Sequence, residues 1–146
     1  MPNYAVQMKR TGSAAASVGS LIAAATRRLK LYDLLVGSEA TPADNPFTWL
    51  IRRCTTVGTA TAVTPQALDP ADPASICTAN ENYSAEPTIT ANSELLDIPL
   101  NQRATFRWVA SPGGELVVPA TANNGLLLST PVASAVLVSA TAHFSE

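Results

Sequence analysis

Arg103-Ala104-Thr105-Phe106-Arg107-Trp108-Val109-Ala110 alternates with a period of two. Phe106, Trp108 and Ala110 fall on one side, and Arg103, Thr105 and Arg107 on the other. That is the pattern of an antiparallel strand with one face on a core and one in water. Ser111-Pro112-Gly113-Gly114 follows and reads as a hairpin-type turn, because Gly supplies the positive φ that such turns demand. Leu116 to Ala120 then reads as the returning strand, Asn123-Asn124-Gly125 as a second turn and Leu126 to Thr130 as the next strand. From Val132 to Phe144, the residues Val136, Val138, Ala140, Ala142 and Phe144 share one face, with Ser134, Leu137, Ser139 and Thr141 off it.

The same grammar extends towards the N-terminus. Tyr4 to Arg10 alternates, and Phe47 to Thr56 places Phe47, Trp49 and Ile51 opposite Leu50. Gly58 turns the chain into Thr59 to Thr64, whose Thr and Val content suits a pleated surface. Tyr83 to Thr90 and Glu94 to Leu100 are short strand-like pieces. Ser20 to Val36 reads two ways: Leu21, Ala25, Leu29, Tyr32 and Val36 are near helical spacing, while Leu29, Leu31 and Leu35 oppose Arg28, Lys30 and Tyr32 as in a strand. Its Thr-rich neighbours favour the strand. Gly37 to Pro46 is a turn-rich loop, and Pro65 to Asn82 is the longest irregular stretch, of the kind that forms functional or partner-contacting surface. Eleven prolines, spread from Pro2 to Pro131, cut the chain into pieces too short for long helices. The expectation is an all-β domain spanning residues 1–146: a jelly-roll-like sandwich of two sheets with about eight to ten strands.

Composition narrows the function. Ala, Thr and Ser together supply 53 of the 146 residues, and charged residues are 14% against roughly 25% in an ordinary soluble domain. With nine basic and eleven acidic side chains, the net charge of -2 argues against a nucleic-acid partner held by phosphate neutralisation. One His and two Cys are too few for most zinc sites. No run approaches the 18 or so apolar residues of a membrane span. Ala14 to Ala25, behind Lys9 and Arg10, is too interrupted by Ser and Gly for a signal peptide.

Candidate chemistry is sparse. His143 has no second imidazole to work with and reads as a surface or edge-strand residue. Cys54 would need a base beside it to act as a nucleophile, and nothing in the spacing brings His143 there. Cys54 and Cys77 read as independent, half-buried thiols. Asp69 and Asp72, three apart in a Pro-bounded loop, read as turn-makers before a calcium or glycosidase pair. Arg27-Arg28 and Arg52-Arg53 are the basic doublets; on a strand, one member of each points inward or to an interface. Their expected partners are Glu39, Asp33 or Asp97 within the chain, or a neighbouring subunit. These four arginines with Asp69 and Asp72 are the candidate subunit contacts. The residues indicate no catalytic group, metal or cofactor, and a domain of this kind works by binding or building.

Several blocks resemble small virion proteins of tailed bacteriophages. They are Arg27 to Asp33 running through Gly37 to Phe47, Thr64 to Asp72, and Asn101 to Ala110 followed by Pro112-Gly113-Gly114-Glu115. The characterised class they look like is the capsid decoration, or cement, protein. The resemblance implies a jelly-roll-like domain on the outside of a phage head, bound to the major capsid protein, as a homo-oligomer, with a trimer favoured. It implies no enzyme and no cofactor. Residues 1–26 match least and are expected as an extended N-terminal arm packing on a neighbouring subunit. Tail or head-fibre components and glycan-binding host-adhesion sandwiches are the rival classes.

Overall fold

A computed structural model describes residues 1–11, 17–131 and 136–146, and these form twelve strands and no helix. In chain order they are β1 (Asn3–Thr11), β2 (Ser17–Ile22), β3 (Leu29–Glu39), β4 (Pro46–Cys54), β5 (Thr59–Val63) and β6 (Gln66–Ala67). β7 (Thr78–Ala85), β8 (Leu96–Asn101), β9 (Phe106–Val109), β10 (Leu116–Val118), β11 (Gly125–Ser129) and β12 (Leu137–Ser145) follow. Sheet A runs β10-β3-β12-β1-β6, with β9 also on β3; sheet B runs β5-β7-β2-β11-β4-β8. Every named strand pair is antiparallel. The all-β, two-layer expectation holds. The excess over eight to ten strands comes from very short pairings such as β6 and from the splitting of Ser20–Val36, which leaves sheet B at Ile22 and enters sheet A at Leu29.

Alternation builds the core. Tyr4, Val6 and Met8 of β1, Phe47, Trp49 and Ile51 of β4, and Val138, Ala140, Ala142 and Phe144 of β12 are all buried between the sheets. The small side chains let the layers approach closely. At Gly19 of β2, a Cβ would lie 2.5 Å from the sulfur of Met8 in the opposite sheet. Val132 and Ser134, expected at the start of the last strand, lie outside the described residues, as do Ala14 to Ala16.

Among the described residues of the expected N-terminal arm, two strands join the sheets of this chain. β1 lies between β12 and β6, and β2 between β7 and β11. Tyr4, Met8, Val18 and Leu21 are fully buried there. Their apolar side chains would otherwise face water, so the sandwich keeps them.

Three local features also depart from the sequence reading. First, a bulge shifts the phase of β3: Phe144 faces Leu31 but His143 faces Asp33, so Tyr32 is the extra residue. Leu34 and Val36 therefore turn inward with Leu29 and Leu31, and Leu35 faces out at 40% exposure. Second, Ser111–Gly114 does not reverse the chain. β9 pairs with Asp33–Val36 and β10 with Leu29–Leu31, both antiparallel to β3, so they are one edge strand interrupted by an outward excursion. The excursion closes on a bond from the Gly114 amide to the Ser111 carbonyl, with Gly113 at φ 82°. Third, the Asn123-Asn124-Gly125 turn carries the chain from sheet A to sheet B. Asn123 takes the positive φ of 68°, whereas Gly125 serves close approach: a Cβ there would sit 2.5 Å from the Leu21 carbonyl oxygen.

The irregular stretch is shorter than Pro65–Asn82, since β6 and β7 claim its ends. The two outer faces are unequal. On sheet B, Val57 and Ile89 from flanking segments and Ala60 of β5 pack against Ile22, Cys54, Tyr83 and Leu127 in a second small apolar cluster. No such cluster covers sheet A among the described residues.

Candidate functional site

The open face of sheet A carries a charged cluster drawn from three neighbouring strands. Asp33 of β3 is 5% exposed although it lies on the outer face. Arg107 of β9 forks onto it, with Nε 2.9 Å from Oδ1 and Nη2 2.6 Å from Oδ2. His143 of β12 lies directly opposite, its Nδ1 3.0 Å from Oδ2. Tyr32, pushed out by the bulge, stacks on the His143 ring at 6.4 Å between centroids. Hydrogen bonds from Arg107 hold the Asp33 carboxyl below the ordinary carboxylate value; burial opposes this, and His143 adds to the lowering. Burial, with the Asp33 charge beside it, raises the Tyr32 phenol. His143 is thus half-buried on an interior strand with an oriented ring, not an edge residue.

Next to this cluster the face flattens into a shallow groove of about 200 Å³ between Gln7, Leu35, Gly37, Ser139 and Thr141. Leu35 stands exposed in it at 40%, and Val109, paired opposite Asp33 on β9, is exposed at 58%. The surface offers one fixed charge network, short hydroxyls and two apolar side chains, which is the equipment of a contact surface.

The basic doublets do not find the acids expected for them. Glu39 pairs with Lys9 at 2.8 Å, and Asp33 is taken by Arg107 and His143. Arg27 and Arg28 are exposed in the link between β2 and β3. On β4 the two arginines do diverge. Arg52 faces outward and donates to the Ser129 hydroxyl at 3.0 Å. Arg53 points inward at the end of the sandwich, where its Nη1 donates to the Val117 carbonyl of sheet A at 2.8 Å. Asp69 and Asp72 make a turn: the Asp69 carboxylate accepts the Ala71 amide at 2.9 Å, and its carbonyl accepts the Asp72 amide at 3.0 Å. Of the candidate contacts, Arg28 and Arg53 line one cleft, Asp69 and Asp72 share a turn, and Arg52 lies on the outer face of β4.

Both thiols are free and buried. Cys54 belongs to the small cluster outside sheet B, on the other layer from His143. Burial pushes Cys54 up to about 11. Burial, then a hydrogen bond to Glu146, pushes Cys77 up to about 12. The Glu146 carboxylate accepts the amides of Ile76 and Cys77 at 3.0 and 2.9 Å and the Ser75 hydroxyl at 3.0 Å. Burial works against its charge, but donors from Cys77, Ile76 and Ser75 prevail and hold it below its ordinary value. No signal within either peptide predicts these links, since the partners are 69 to 71 residues apart.

Among the described residues no group of three or more His, Cys, Asp or Glu could hold a metal ion, and no helix is long and apolar enough to cross a membrane. Compared with known proteins, the chain matches no family model, no curated protein and no solved structure.

Proposed function

We propose that this chain is a structural virion protein of a tailed bacteriophage. It binds the outer surface of the capsid and stabilises contacts between major capsid protein subunits, in the manner of a cement protein with a jelly-roll-type domain. It acts as scaffold, without catalysis or cofactor, and as a homo-oligomer, with a trimer favoured. The sequence blocks that resemble decoration proteins supply the context. The observation that carries the reading is the inequality of the two outer faces. Sheet B carries a small apolar cluster with Val57, Ala60 and Ile89 on its outer face, while among the described residues no such cluster covers the Asp33–Arg107–His143 face of sheet A. A flat surface of short side chains suits contact with a large neighbour, and many weak contacts around a shell gain through multivalency. An adhesive glycan-binding role has less support, since Trp49 is fully buried and Trp108 packs on the core.

The test is an electron-microscopy map of the virion, with the purified chain added back to heads that lack it. Density on the head exterior, at seams between capsid subunits, is the expected result. Density confined to the tail overturns the cement role.

A further inference from the structure

We infer that the cleft at the Arg53 end of the sandwich is a binding site for a carboxylate carried on a short aliphatic stem. The inference is independent of the capsid reading. The cleft has a volume of about 440 Å³, within the usual range of small-ligand sites. It opens where the end of β4 meets β10, the turn into β11 and the link between β2 and β3.

Its chemistry is one-sided. Arg28 and Arg53 line it, and none of the chain's eleven acidic residues does. Neither arginine has an ion-pair partner among the described residues. Arg53 spends one N–H on the Val117 carbonyl, which fixes the guanidinium between the sheets and leaves its other donors for a ligand. Arg28 is exposed and free to close over an occupant. Two guanidinium forks converging on one cleft match the planar geometry of a carboxylate. Val117, Val118 and Pro119 form an apolar wall, with Thr55, Thr90 and Asn124 also lining the cleft. An inorganic oxyanion would leave that wall unused, whereas an aliphatic stem covers it.

The source of the carboxylate is either a free small acid or a Glu or Asp side chain of a bound peptide. Both are read by titrating the 15N-labelled protein with sodium butyrate and with a short Glu-containing peptide, against sodium chloride at equal ionic strength. Saturable shifts of the Asn124, Gly125 and Thr55 amides are expected with butyrate, and a peptide that binds tighter than butyrate identifies a protein side chain. Arg28→Gln weakens binding at least fivefold, and Arg28→Lys weakens it less, because charge is kept and the fork lost. Arg28 lies in an exposed link, so the variant keeps the fold; Arg53→Gln is the second variant, with folding checked by its spectrum. Shifts no larger than in chloride, an unchanged affinity in Arg28→Gln, or tighter binding of inorganic phosphate than of butyrate would each overturn the assignment.

Discussion

Asp33 is a carboxylate held out of water on a surface that is otherwise open, and three strands depend on its charge. Replacing it with Asn removes the charge and one of the two acceptor oxygens, so the Arg107 fork and His143 are no longer all served, and costs about 1–3 kcal/mol at neutral pH. The pH dependence has a definite sign. Because folding lowers the Asp33 value, its stabilisation is complete above the unfolded-state value of roughly 4 and is lost as pH falls through the folded-state value. Urea unfolding of the wild type and Asp33→Asn should therefore differ most above about pH 5 and converge in acid. A gap that widens in acid contradicts this. Glu146 acts in the same direction on a different element. Glu146→Gln weakens the acceptors for the Ile76 and Cys77 amides, and their hydrogen exchange should accelerate about tenfold, equivalent to roughly 1.4 kcal/mol. Exchange at β11 amides serves as the control. None of this is legible residue by residue: Asp33 is 74 positions from Arg107 and 110 from His143, and only strand pairing brings them together.

Elements were readable where alternation runs unbroken, as at β1, β4 and β12, because burial on one face imposes its period on the sequence. They were not readable where phase or sheet changes. The bulge at Tyr32 is selected by pairing with β12, and nothing in Leu29-Lys30-Leu31-Tyr32-Asp33 announces it. Likewise Pro112-Gly113-Gly114 marks a turn, but whether the chain reverses or resumes along the same edge depends on β3. Glycine spacing between layers gives a test at this scale. Gly125→Ala meets the Leu21 backbone carbonyl and the Ile22 side chain, whereas Gly19→Ala meets the Met8 side chain at its sulfur, Cγ and Cβ but no backbone carbonyl among its three nearest atoms. Both lower the free energy of unfolding read from urea titration, by about 1–3 kcal/mol, with Gly125→Ala the more severe. Equal effects would mean that the β2–β11 pair yields more readily than its register suggests. Edges are guarded in different ways: Pro99 sits on the edge strand β8, and beyond the short β6 pairing at Tyr4 and Ala5 the Glu81 carboxylate accepts the Lys9 amide of β1 at 2.7 Å.

At the scale of the molecule, two sheets of similar size differ on their outer faces. Sheet B carries a small apolar cluster of its own there, and among the described residues sheet A carries none. Ser139→Arg together with Thr141→Arg should abolish attachment to phage heads while changing stability by less than about 0.5 kcal/mol per site, since both lie half-buried on the open face. Co-sedimentation with heads and urea titration read the two halves of that statement. Light scattering of the purified chain should give three times 15.2 kDa; a monomer at that mass contradicts the trimer. The excursion at 110–115 has a practical consequence. It departs from the β3 edge and rejoins it, and a Cβ at Gly113 would meet nothing within 4 Å. Doubling the length of such a loop costs only about 0.6 kcal/mol. A foreign epitope spliced between Gly113 and Gly114 would ride clear of both layers, giving this small protein a ready display position for vaccine or nanoparticle work.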